Sequence, residues 1–126
     1  MLLVRGLIEC SADEEVLLTG SGDGSVKQWK LGQGPDSAPV GLAKLDNGSD
    51  SVLSLAVDGS FLYCGLSGGA VNIWNLDSHQ IIRRLTSHEG DLWAIDIVKG
   101  ITISGDSNGV VKVRFATSAR ADSSCY

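Results

Sequence analysis

Ser104, His88 and either Asp106 or Asn108 could be drawn as a hydrolytic set, with a hydroxyl nucleophile, an imidazole base and a group that orients the ring. No nucleophile elbow or oxyanion-hole glycine cluster is expected, so catalysis by these residues is not expected. Gly20-Ser21-Gly22-Asp23-Gly24 has the glycine content of a phosphate-binding loop. Such a loop must run into a helix whose N-terminus faces the anion. Here Val26-Lys27-Gln28-Trp29 follows with strand character, and a structural turn is the expected role. Cys10, Cys64 and Cys125 are odd in number and far too widely spaced for a Cys-x-x-Cys pair. With His79 and His88 they make no recognisable metal set, and no cofactor is expected. His79, in Asp77-Ser78-His79, reads as a solvated turn residue. Asn47-Gly48-Ser49 satisfies the glycosylation pattern, but Asn-Gly is first of all a turn signal.

Composition narrows the function classes further. A formal charge of −5, from 10 basic and 15 acidic residues, disfavours nucleic acid, whose phosphates require concentrated Lys and Arg. The basic residues are scattered, apart from the pair Arg83-Arg84. Met1–Ile8 is apolar but is split by Arg5, so it lacks the continuous core of a secretory signal. No apolar run is long enough to span a bilayer. The chain therefore reads as soluble, cytosolic or nuclear, with reduced thiols and no membrane partner. Hydrophobic residues make up 43%, enough for a packed core, and 16 glycines against 2 prolines imply many tight turns.

Those turns recur with a period. Thr19–Trp29 (TGSGDGSVKQW), Cys64–Trp74 (CGLSGGAVNIW) and Ser104–Arg114 (SGDSNGVVKVR) align without gaps, 45 and 40 residues apart. Gly20, Gly65 and Gly105 share a column, as do Gly24, Gly69 and Gly109, and Val26, Val71 and Val111. Each segment follows an apolar run and is followed by alternating apolar and polar residues. Asp23-Gly24, Gly68-Gly69 and Asn108-Gly109 sit between the two halves, where a two-residue hairpin turn with both central residues at positive φ is expected. Flanking strands are expected at Val4–Cys10, Val52–Val57 and Leu92–Val98, and again at Val40–Leu45 and Ile81–Leu85. Gly32–Pro39 and Asp46–Asp50 read as polar connections. Nothing has a helical period, so the fold class is all-β.

With the strands placed, the pattern resembles the WD40-repeat family over roughly residues 1–115. The resemblance implies a partial β-propeller of about 2.75 four-stranded antiparallel blades. The expected blades cover about 1–45, 51–86 and 92–115, with a disordered tail at 116–126. It also implies a hydrogen-bonded structural network in each blade: a loop His, a Ser or Thr, an Asp and a Trp. Transferred position by position, blade one offers Thr19, Asp23 and Trp29; blade two offers Trp74, with Cys64 and Gly68 replacing the hydroxyl and the acid; blade three offers His88, Ser104, Asn108 and Arg114. No blade has the full set, and neither Trp29 nor Trp74 is followed by Asp.

The family likeness implies a non-catalytic scaffold for a protein or peptide partner, and a fragment of a larger WD40-repeat protein. A docking or regulatory propeller of a multidomain enzyme, and a truncated product without independent function, are the alternatives. A closed propeller needs at least about four blades, so completion by a longer chain or by self-association is expected. Trp93 and Asp91 are the candidate partner contacts. Ile95 and Ile97 follow the buried rhythm, and Trp93 with Asp91 is expected to point away from them, toward the rim or central channel. Packing of Trp93 against a neighbouring blade is the competing expectation.

Overall fold

The structure, a computed structural model, describes residues 2–11, 14–30 and 38–115. Runs of β-branched and aliphatic residues broken by glycine-bearing turns fold into eleven strands within those residues. The first sheet holds β1 (Leu2–Ser11), β2 (Glu14–Ser21), β3 (Ser25–Lys30) and β4 (Val40–Asp46), in chain order. The second holds β5 (Val52–Asp58), β6 (Phe61–Leu66), β7 (Ala70–Asn75) and β8 (Gln80–Thr86), again in chain order. The third holds β9 (Leu92–Val98), β10 (Ile101–Asp106) and β11 (Val111–Phe115). Every pairing is antiparallel, and each sheet is one blade. The first strands meet across blades, β1 against β5 and β5 against β9, so they line the inner edge. The expected tail at 116–126 and most of the Gly32–Pro39 connection lie outside the described residues.

The core lies between blades rather than within one. Leu18, Val26 and Leu45 of the first blade pack on Val52, Leu55, Leu62 and Leu66 of the second. Tyr63, Val71 and Ile73, on the other side of the second blade, pack on Leu92 and Ile95 of the third. Sandwiched on both faces, β6 and β7 are buried almost throughout. The outer strands β4 and β8 are mostly exposed, and only Leu45 of β4 is fully buried. Mutual burial between neighbours is what a quasi-one-dimensional repeat depends on.

The hairpin turns are shifted from the expected position by one residue. The closing bonds run from Gly24 N to Ser21 O, Gly69 N to Leu66 O and Gly109 N to Asp106 O. Gly22-Asp23, Ser67-Gly68 and Ser107-Asn108 are therefore the central pairs. Gly24, Gly69 and Gly109 follow them in the left-handed region, at φ 91°, 90° and 85°. Asp23 and Asn108 stay at ordinary φ, whereas in the second blade both Gly68 and Gly69 reach positive φ as expected. In each blade the closing bond makes a three-residue loop ending on a left-handed glycine in place of the anticipated two-residue turn. The extra residue lets Asp23 accept from the Ser25 N–H at 2.9 Å and from the Ser25 hydroxyl at 2.6 Å. Those donors pull the Asp23 carboxyl down to about 2.

Candidate functional site

The structural network differs in each blade. In the first, the Trp29 indole N–H donates to Thr19 Oγ1 at 3.1 Å, while Asp23 serves its own turn. The pair joins β2 to β3, and Trp29 keeps part of its ring at the surface.

In the second blade Asn47 does what neither Cys64 nor Gly68 can. It lies in the loop between β4 and β5, and its side chain is buried. Its Oδ1 accepts from the Trp74 indole at 2.8 Å and from the Asn72 amide at 2.9 Å, while its Nδ2 donates to Gly24 O at 3.0 Å. One side chain thus links the first blade's turn to the second blade's β7. By residue type alone, Asn47 is expected in an Asn-Gly turn. The available signal was that Asn47 and His88 both lie in the loop ahead of the first strand of a blade. Gly48, at φ 95°, supplies the turn beside it. Cys64 is buried, and burial pushes its thiol above the ordinary range, so it is a core residue and not a nucleophile. Asn72 also accepts from Arg84 at 3.2 Å, and Arg84 pairs with Asp50 at 3.5 Å at the half-exposed end of the chain of contacts.

In the third blade His88 is enclosed between Ser104 and Asp106. Its Nε2 lies 2.8 Å from Ser104 Oγ and its Nδ1 2.9 Å from Asp106 Oδ2. With the proton on Nδ1, the ring donates to Asp106 and accepts the Ser104 hydroxyl. The carboxylate comes from Asp106, two residues before Asn108; the Asn108 amide lies against Gly90 instead. Asp106 Oδ1 also accepts the N–H groups of Asn108 and Val110, both at 2.9 Å. The Val110 N–H, followed by the His88 and Asn108 donors, holds this carboxyl below the usual range despite its desolvation.

The order Ser, His, carboxylate is that of a hydrolase, but the accessibility is wrong. Ser104 and His88 are both buried, so no substrate carbonyl can reach the hydroxyl. Gly65-Leu66-Ser67-Gly68-Gly69 and Gly105-Asp106-Ser107-Asn108-Gly109 even match the Gly-x-Ser-x-Gly pattern of a nucleophile elbow. Both are hairpin turns, and Ser67 and Ser107 each accept the N–H of the residue just before the inner strand of their own blade, Ser51 at 2.9 Å and Asp91 at 3.1 Å. Among the described residues no three His, Cys, Asp or Glu side chains converge as a metal site, and no helix is long and apolar enough to cross a membrane.

Trp93 stands apart from these interior contacts, 56% exposed near the start of β9. Strict alternation would place it on the same face as the buried Ile95. A bulge separates them: Gly105 pairs with Ala94 and Asp106 with Leu92, leaving Trp93 as the extra residue. Leu53 is the extra residue at the same place in β5. Beside Trp93, the Asp91 carboxylate accepts the Gly68 N–H at 2.9 Å, fixing it against the second blade. His79, in the turn between β7 and β8, is exposed but not only solvated: its Nε2 lies 3.3 Å from Gln28 Oε1 of the first blade.

Residues 4–30 match the family described as WD domain, G-beta repeat. The chain belongs to the WD40-repeat family. Several relatives align with more than half of it. "Probable di- and tripeptidase DUG2" of Saccharomyces cerevisiae is 36% identical over 76% of this chain, and "Kinesin-like protein KIF21B" of Homo sapiens is 32% identical over 88%. "Mitochondrial division protein 1" of Neurospora crassa is 30% identical over 60%. The chain spans only 11%, 6% and 15% of those three proteins' lengths. Among solved structures, the computationally designed Ika4 protein superposes with a TM-score of 0.70 at 25% identity, over 89% of this chain and 65% of that one. The designed Ika8 protein gives 0.74 at 23% identity, over 93% and 34%. WD40 repeats generally serve as non-catalytic surfaces for protein–protein interaction, and this chain carries that architecture.

Proposed function

We propose that this chain is a non-catalytic interaction scaffold, part of a larger WD40 assembly, and that Trp93 with Asp91 contacts a protein or peptide partner. The observation that carries the reading is the exposure of Trp93 on a bulge of an inner strand, beside a carboxylate already held in place. An indole combines large contact area with one hydrogen-bond donor, which suits it to anchor an interface. The reading is tested by Trp93→Ala. Binding to a partner identified by crosslinking through position 93 is expected to weaken by tenfold or more, roughly 1.4 kcal/mol. The melting temperature is expected to stay within about 2 °C, because the ring buries little surface in this chain. A large loss of stability with unchanged binding would make Trp93 a packing residue.

A second reading is favoured by the DUG2 relative, whose printed name is that of a peptidase. On this reading the blades are the docking part of a longer enzyme whose catalytic portion lies outside residues 1–126. An antibody to this segment, used on extracts of the source cells, discriminates the two. Co-purification of dipeptidase activity with one long polypeptide supports the enzyme; a long polypeptide without that activity supports the scaffold.

A further inference from the structure

Asn47 and Gly48 form an asparagine–glycine dipeptide, which is chemically unstable wherever its two halves can meet. The Gly48 nitrogen, once it gives up its proton, can attack Asn47 Cγ. A five-membered succinimide forms, and the amide nitrogen takes up a proton and leaves as ammonia. Water then opens the ring. Cleavage of the bond to Cγ gives aspartate; cleavage of the bond to the main-chain carbonyl gives isoaspartate. The balance is one water in and one ammonia out, with no change of oxidation state. Glycine favours the reaction because no Cβ shields its nitrogen.

The fold holds the two halves apart. Gly48 is exposed, with nothing within 4 Å of a Cβ built on it, while Asn47 is only 6% exposed. The Gly48 N–H donates to Asp46 Oδ1 at 2.9 Å, which ties up the nitrogen that would attack. The Asn47 amide is turned into the seam between the first two blades, where Trp74, Asn72 and the Gly24 carbonyl engage both of its polar atoms. Attack would make the planar amide tetrahedral and draw Cγ toward Gly48, breaking bonds that reach into two different blades. Those bonds are buried, and their loss is costly while the seam stays closed.

Neither product fits where the amide did. Aspartate has no donor for Gly24 O and sets a carboxylate against that carbonyl. Isoaspartate adds a main-chain methylene between residues 47 and 48. That bond lies between two pins on the first blade, Asn47 N to Gly24 O and Ser51 Oγ to Gly22 O, both at 2.9 Å. Between the pins, the Gly48 and Asp50 carbonyls are packed over Gly24, where even a Cβ would collide. We propose that Asn47-Gly48 is a deamidation site latched by the seam between the first two blades. Closed, the seam withholds the amide; opened, it yields an aspartyl or isoaspartyl loop that cannot rebuild it. Residue 47 thereby records how long the blades have been apart. Nothing in this chemistry depends on the partner contact at Trp93.

The test times amide loss at Asn47 by mass-spectrometric peptide mapping, with the 126-residue chain held at mildly alkaline pH both folded and in urea. In the folded chain the loss is expected to be at least about tenfold slower than in urea. Urea below the unfolding midpoint is expected to raise the rate in step with the fraction of chains opened. In full urea, where folding plays no part, Gly48→Ala is expected to slow the loss by at least about fivefold. Chains deamidated at 47 but intact at Asn108 are then diluted from urea. They are expected to be enriched at least about threefold in the protease-sensitive fraction. Protection below tenfold overturns the latch, and a rate that Gly48→Ala leaves unchanged overturns the ring-closing route. Deamidated chains that refold as fully as intact ones overturn the one-way step.

Discussion

Asn47 shows how one side chain can stand in for a missing histidine. An imidazole in the equivalent loop of the third blade reaches a hydroxyl and a carboxylate; the shorter amide of Asn47 reaches an indole, a second amide and a backbone carbonyl. Asn47→Ala would leave the buried Trp74 indole and Asn72 amide without this acceptor, and each such loss costs about 1–3 kcal/mol. A loss of about 2–4 kcal/mol in urea unfolding is therefore expected. A loss under ~0.5 kcal/mol would mean that water replaces the amide without penalty. Asp23 makes a pH-dependent contribution. Its carboxyl is held at about 2 by Ser25, below the usual ~3.9, so the unfolded chain binds that proton more tightly than the folded one. The stabilisation is complete above about pH 4 and is lost as pH falls toward 2. The urea midpoint of Asp23→Asn is expected to fall less steeply than that of the unaltered chain between pH 5 and 2. Parallel slopes would remove Asp23 from the account.

At the scale of the element, the turn glycines separate two costs that usually arrive together. Gly69 and Gly109 are both left-handed, but only Gly69 lies under a neighbouring backbone. Gly109→Ala is expected to cost about 1–2 kcal/mol, the price of a left-handed alanine. Gly69→Ala must also push the His88 carbonyl away, and a loss exceeding that of Gly109→Ala by at least about 1 kcal/mol is expected. Denaturant unfolding of the two variants gives the comparison; equal losses would contradict the blade contact at Gly69. Strand rhythm and glycine columns made the hairpins legible in the residues. The shifted turn was not legible, because Asp23-Gly24 suits either loop length and the choice depends on which carbonyl closes the turn. The bulge at Trp93 was hidden for a similar reason. It is a mismatch between two strands, and neither strand records it alone.

At the scale of the molecule, stability resides in the seams between blades. Leu62 is fully buried where the first two blades meet, and Leu62→Ala is expected to cost about 2–5 kcal/mol. Because the second blade is packed on both faces, the loss is expected to lower protection from hydrogen exchange in the strands of the first two blades together. Protection lost in β6 alone would show that the blades are independent.

The residues by themselves determined the all-β class, the three-fold repeat, the family and the chemistry that is unsupported. Those properties are local: alternation, turn glycines and spacing leave their mark along the chain. The tertiary structure decided which polar groups meet. Asn47 rather than Cys64 serves Trp74, and Asp106 rather than Asn108 serves His88, because each partner lies across a seam or a turn whose geometry only the packed blades define. It also decided that Gly20 and Gly65 lie under Val52 and Leu92 of the neighbouring blade, a packing invisible in the aligned glycines.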